Sequence, residues 1–211
     1  MDIYKEGSSP PSAQPGASTQ VAALIDREHG LVSRRIFADP ELYQLELERI
    51  FARCWLFLGH ESQVARPGDF VTTRMGNEPI ILTRDTAGQI RALINTCRHR
   101  GNSICRAEAG RAHSFTCTYH GWTYGLDGRL IGVPGYEERY YGELDRSQWG
   151  LIPVTQVASY KGLVFGTFDA TAPPLEDYLG EARWALDYIL DQRAGGTEVV
   201  GGVYKWVINS N

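Results

Sequence analysis

Two short stretches carry the residue types that could do chemistry, Cys97-Arg98-His99 and Cys117-Thr118-Tyr119-His120. Each supplies one thiolate and one imidazole, and residues 100–116 separate them. Four soft or borderline donors, two from each of two loops, suit a metal centre. Two thiolates and two imidazoles fit a [2Fe–2S] cluster in which His replaces Cys on one iron, Cys97 and Cys117 holding one iron and His99 and His120 the other. A structural zinc ion also accepts two Cys and two His. Zinc fingers usually take two Cys from one side and two His from the other, so mixed Cys-x-His and Cys-x-x-His halves favour the cluster. Such a centre moves one electron at a time, and neutral imidazole in place of thiolate places its potential above that of an all-Cys cluster. The His pair is expected to be the exposed one. Gly101 and Gly121 sit where a loop must bend closely around sulfide. Tyr119 and Trp122 flank His120 and are expected to shield the centre from water.

The remaining candidates have plainer readings. His29, His60 and His113 are scattered and read as surface or hydrogen-bonded residues. Cys54 falls on the apolar stripe of a helix and reads as core, and Cys105 as a packed thiol. No catalytic residue is assigned. A chain of 211 residues with 43% hydrophobic content holds one ordinary domain with an appendage. Its net charge of −4 argues against nucleic acid or an anionic membrane as the partner. There is no signal peptide and no run of about 18 apolar residues, so a cytoplasmic protein without a membrane span is expected.

The elements that must position the ligands follow from periodicity. Residues 1–19, rich in Ser, Pro and Gly, read as a disordered tail. Residues 20–54 form an N-terminal helical segment, with a short helix over 20–28. A clearer helix is capped by Asp39, begins at Pro40, places Glu41 at its positive end, and buries Tyr43, Leu47, Ile50, Phe51 and Cys54 on one stripe. Strands are expected over 55–58, 70–74, 79–84, 89–95, 122–126, 129–133, 150–159 and 162–168. Asp127-Gly128 turns one hairpin. Together, residues 55–170 make an antiparallel β-sandwich carrying the ligand loops, a mainly β fold with flanking helices. Residues 171–211 add one helix from Leu175 to its stop at Gly195-Gly196, then a strand over 203–208. An apolar strand at the end is expected of a truncated chain.

Cys97-Arg98-His99-Arg100-Gly101 with Cys117-Thr118-Tyr119-His120-Gly121-Trp122 resembles the Rieske centre of the α subunit of aromatic-ring-hydroxylating dioxygenases. The resemblance includes Glu48-Arg49-Ile50-Phe51, Gly59-His60-Glu61, Pro67-Gly68-Asp69-Phe70, Tyr160-Lys161-Gly162-Leu163 and Lys205-Trp206-Val207-Ile208. Within that family it is most similar to the biphenyl and toluene/benzene branch. The resemblance implies electrons from NADH through a reductase and ferredoxin, a [2Fe–2S] cluster, and a mononuclear Fe(II) that adds O2 to an arene as a cis-dihydrodiol. It also implies association with other α subunits and with a β subunit. Positions that carry a disulfide in respiratory Rieske proteins correspond to Asn102 and Tyr119, so that bridge is absent. The Fe(II) ligands of the family lie beyond Asn211, so residues 171–211 contribute only a linker helix and the first strand of a catalytic domain. The runner-up reading is a stand-alone Rieske ferredoxin-like electron carrier, which the helices on both sides of the cluster domain disfavour.

Overall fold

A computed structural model describes residues 21–202 and 206–208. The chain divides into two compact units, Met1–Glu46 and Leu47–Asn211. In the first, residues 21–22 are helical, but the expected helix over 20–28 goes no further: residues 25–32 form a small antiparallel hairpin, β1 (Ile25–Asp26) with β2 (Leu31–Val32). The Asp26 carboxylate closes the turn by accepting from Glu28 N at 3.1 Å and His29 N at 3.0 Å. A local side-chain acceptor of this kind competes with helix formation. Helix α1 (Arg35–Ala38) precedes α2 (Pro40–Glu46). Asp39 caps α2 as expected, its Oδ1 accepting from Glu41 N at 3.0 Å.

The second unit begins with a π-helical turn, Leu47–Phe51. This turn alters the rotation per residue, so apolar positions chosen at α-helical spacing no longer fall on one stripe. The expected buried stripe is accordingly corrected: Tyr43 and Ile50 are exposed, and Leu47, Phe51 and Cys54 are half-buried. The expected tail over 1–19 lies outside the described residues.

Three antiparallel sheets follow. Strands β4 (Asp69–Met75), β5 (Glu78–Arg84), β6 (Ile90–Ile94) and β7 (Ala109–Arg111) form one, in the order β6-β5-β4-β7. The second joins β8 (Ser114–Thr116), β9 (Thr123–Gly125) and β10 (Leu130–Gly132). The third is built from β3 (Leu56–His60), β11 (Gln156–Tyr160) and β12 (Leu163–Thr167), with β12 in the middle.

The four-stranded sheet organises the unit because it is buried on both faces. Alternate residues of a strand point to opposite faces. Val71, Ile80, Leu82, Ala92 and Ile94 join a core with Leu58 and Val164 from the third sheet and with Val154, which precedes β11. Phe70, Ile81 and Leu93 join a separate core with Cys97, Phe115, Cys117, Trp122, Tyr124 and Leu130. This accounts for the unbroken apolar run Ile80-Ile81-Leu82, in which all three side chains are fully buried. The loops bearing Cys97 and Cys117 therefore rest on a platform whose other face packs against the third sheet.

Strands β7 and β8 are absent from the sequence expectation. Each has three residues, too few for alternation to register. The stretch 150–159 becomes strand only from Gln156, Pro153 making a single bridge to Leu93. Short helix α3 spans Tyr136–Tyr140. The helix expected from Leu175 is two helices, α4 (Leu175–Leu179) and α5 (Ala182–Leu190). Gly180, at φ 49° and ψ −126°, breaks them apart in a conformation that suits glycine. Helix α5 stops at Leu190, before Gly195-Gly196. Of the strand expected over 203–208, residues 203–205 lie outside the described residues and 206–208 are not strand.

Candidate metal centre

Two six-residue loops of matching backbone present the four donors. In the first, Cys97 N donates to Asn102 O at 2.8 Å and Gly101 N returns to Cys97 O at 2.8 Å. In the second, Cys117 N donates to Trp122 O at 2.8 Å and Gly121 N returns to Cys117 O at 2.9 Å. Both glycines have left-handed backbone, φ 73° and 75°, which closes each loop at a residue without Cβ. The first loop leaves β6, and the second spans the gap between β8 and β9, so both rise from the same core.

Burial divides the donors by element. Cys97 and Cys117 are buried, at 3% and 2% exposure. His99 and His120 are half-buried, with rings 4.6 Å apart and nearly perpendicular. The thiols are thus the more buried pair, and the imidazoles, expected to be exposed, are half-buried. His99 Nδ1 is buried and has no hydrogen-bond partner. An orphaned buried nitrogen is costly unless something ligates it, which fits a metal on that atom. Burial, then the neighbouring His120 and Arg100 charges, push the His99 pKa down, favouring the neutral imidazole that binds metal. For Cys117, burial pushes the pKa up, but bonds from Tyr119 N, Asn102, His120 N and Cys97 more than offset it and hold the thiol below its ordinary range.

Among the described residues, no three His, Cys, Asp or Glu side chains gather where a single ion could be held. A structural zinc ion would take all four donors on one metal, and a binuclear cluster takes its two thiolates and two imidazoles on separate irons. The donor set, two thiols and two imidazoles, fits a [2Fe–2S] group.

The surroundings add residues that sequence reasoning missed. Trp122, expected to shield the centre, does so from the His99 side, stacking on that ring at 4.9 Å between centroids and 12° between planes. Tyr119 packs on His120, at 3.8 Å between centroids, and is itself 60% exposed. Trp149 meets Trp122 edge-on at 5.8 Å, with Arg98 lying over its outer face. Tyr124, fully buried on β9, places its OH 3.3 Å from Cys97 Sγ and accepts from Arg98 N at 3.1 Å. Burial and then the Cys97 sulfur push its phenol pKa up, so it remains a hydrogen-bond donor. Buried Asn95 accepts from Ile104 N and Cys105 N and donates to Cys105 O, holding the chain as it leaves the first loop. The alternation of Thr123, Tyr124 and Gly125 along β9 was the available signal for Tyr124; nothing in the sequence marked Asn95.

The other candidates stand apart from the centre. Cys105 is half-buried, bonds Ala107 O at 3.6 Å, and burial raises its pKa, as a packed thiol should behave. Cys54 is half-buried rather than core. His29 pairs with Asp26 at 2.8 Å on the surface, and His113 is exposed. His60 takes the hydrogen-bonded alternative: it is 5% exposed and caps the turn after β3, with Ser62 N donating to its Nδ1 at 3.1 Å. All four cysteines are free.

Residues 54–161 match the family model described as the Rieske [2Fe–2S] domain. The chain belongs to that family, and its cofactor is the [2Fe–2S] cluster. It is similar to the benzene 1,2-dioxygenase α subunit of Pseudomonas putida, 47% identical over 194 residues. It is equally similar to the biphenyl 2,3-dioxygenase α subunit of Rhodococcus jostii, 47% over 195 residues. Those alignments cover 92% of this chain and 43% and 42% of the relatives. The chain thus spans less than half the length of these curated relatives. Among solved structures, naphthalene 1,2-dioxygenase from Rhodococcus sp. with indole superimposes at TM-score 0.77 and 46% identity, covering 81% of this chain and 39% of that one. Among the described residues, no helix is long and apolar enough to cross a membrane.

Proposed function

We propose that Cys97 and Cys117 ligate one iron and His99 and His120 the other, and that the domain is the electron-receiving part of an aromatic-ring-hydroxylating dioxygenase α subunit. When bound, the cluster supplies one-electron transfer. The protein holds it between matched loops, buries the thiolate side and leaves the imidazole side near the surface, where an electron has the shorter path to a partner. The observation that carries the assignment is the orphaned His99 Nδ1 on one of two loops of matching backbone, each bearing one Cys and one His.

In this reading electrons arrive from NADH through a reductase and ferredoxin. They leave toward a mononuclear Fe(II), held by residues outside this chain, where an aromatic hydrocarbon is converted with O2 to a cis-dihydrodiol. Other α subunits and a β subunit complete the assembly, and the protein works in the cytoplasm. Similarity to dioxygenase α subunits over 92% of the chain, well beyond residues 54–161, supports this over a stand-alone carrier.

The test is spectroscopic. Protein purified without oxygen should contain iron and acid-labile sulfide in equal amounts, absorb in the visible range, and give a Rieske-type EPR signal after dithionite reduction. A colourless protein that binds zinc and stays EPR-silent would reject the assignment. Reduction by NADH with the reductase and ferredoxin of a biphenyl dioxygenase system tests the partner reading, which fails if only dithionite reduces the centre.

A further inference from the structure

The sixth residue of each ligand loop serves a donor on the other loop. Trp122, closing the second loop, lies flat on His99 of the first. Asn102, closing the first, extends its carboxamide to Cys117 of the second: Nδ2 stands 3.6 Å from Cys117 Sγ and 3.5 Å from Thr118 Oγ1. The same nitrogen donates to Ser103 O at 3.0 Å. A carbonyl oxygen and a thiolate can only accept, so the NH2 end must face them, which settles the amide orientation.

The two sulfurs are then served in parallel. Cys97 Sγ has the Tyr124 hydroxyl at 3.3 Å, and because that oxygen already accepts from Arg98 N, its proton is free for sulfur. Cys117 Sγ has Asn102. Each thiolate thus receives one neutral side-chain donor, with no positive charge involved. An N–H directed at a ligand sulfur withdraws electron density and stabilises the more negative reduced state.

We infer that Asn102 is a positioning residue that raises the reduction potential of the centre through Cys117 while tying the two loops together. This rests on the proposed ligation, and the experiment separates the two. Asn102→Leu, matched in shape but without a donor, should move the midpoint of an EPR-monitored redox titration of the loaded protein to a more negative value. Asn102→Gln, which keeps the amide, should restore most of that shift. An Asn102→Leu midpoint equal to wild type, in whatever cluster remains, would assign Asn102 a purely structural role and overturn the inference. So would a Gln shift as large as that of Leu. Should the Leu variant hold no cluster, pulsed EPR of reduced wild-type protein grown on isotope-labelled asparagine decides. A coupled asparagine nitrogen is expected, and none would contradict the claim. Wild-type protein lacking any Rieske signal would defeat the ligand assignment itself rather than the role of Asn102.

Discussion

Trp122 lies flat against His99, ring centroids 4.9 Å apart and planes 12° from parallel, while itself only 2% exposed. One face of the candidate imidazole ligand is therefore covered by a buried indole, whereas the ring tilted against His120 is the exposed one of Tyr119. Solvent access around the ligands is one determinant of a cluster's potential and lifetime.

Trp122→Phe keeps an aromatic ring but leaves a gap beside His99. Large-to-small core changes cost about 1–3 kcal/mol when part of a ring is lost. The variant should unfold at lower urea concentration, and its visible absorbance should bleach faster in air than that of wild type. Tyr119→Phe, altering an exposed ring, should bleach at the wild-type rate. Equal rates for Trp122→Phe and wild type would show that the indole does not protect the centre.

The two loop-closing glycines share a backbone conformation but not a neighbourhood. A Cβ at Gly101 meets nothing within 4 Å, whereas one at Gly121 would stand 2.8 Å from Pro134 Cγ. Gly101→Ala should cost about 1–2 kcal/mol of left-handed strain. Gly121→Ala should cost roughly 1–3 kcal/mol more because the proline must shift. Thermal melts of the two variants check the order, and a more stable Gly121→Ala would contradict it.

Asp85 anchors the turn between β5 and β6. Its buried carboxylate accepts from Ala87 N at 2.9 Å, Gln89 N at 2.8 Å and Arg91 Nε at 2.8 Å. Burial raises its pKa, but the Arg91 bond, the backbone donors and the Arg91 charge bring it below the ordinary 3.8. A carboxylate with a lowered folded pKa stabilises the fold fully above its unfolded value and loses that contribution as pH falls toward the folded one. Asp85→Asn should therefore cost about 1–3 kcal/mol at neutral pH, and the difference from wild type should shrink below about pH 4. Urea titrations at neutral and acid pH read this, and a difference that grows on acidification would reverse the sign.

Two thiols should behave oppositely. Cys97→Ser removes a proposed ligand and should abolish cluster assembly. Cys105→Ser alters a half-buried thiol outside the loops and should retain full iron and sulfide. Loss of the cluster in the Cys105 variant would mean that the thiols are misassigned.

The candidate donors stood out because ligand chemistry constrains both residue type and spacing; the structure puts the His99 and His120 rings 4.6 Å apart and buries Cys97 and Cys117. The longer strands were legible from apolar runs such as Ile80-Ile81-Leu82, and Asp39 from its chemistry as a cap. What escaped depends on contacts distant in sequence or on backbone detail. Trp122 adjoins His120 in sequence, yet loop closure turns it onto His99. A π-turn over Leu47–Phe51 undoes a stripe drawn at α-helical spacing, and the φ of Gly180 splits one expected helix into two. Asn95 and Asn102 look like ordinary loop residues until their partners are known.

The central claim is mixed ligation, two thiolates on one iron and two imidazoles on the other. Mössbauer spectroscopy of the oxidised, iron-enriched protein reads it most directly, since irons in different ligand sets give different signals. Two distinct ferric doublets of equal area are predicted. A single doublet from equivalent irons, or a protein that takes up no iron, would contradict the account.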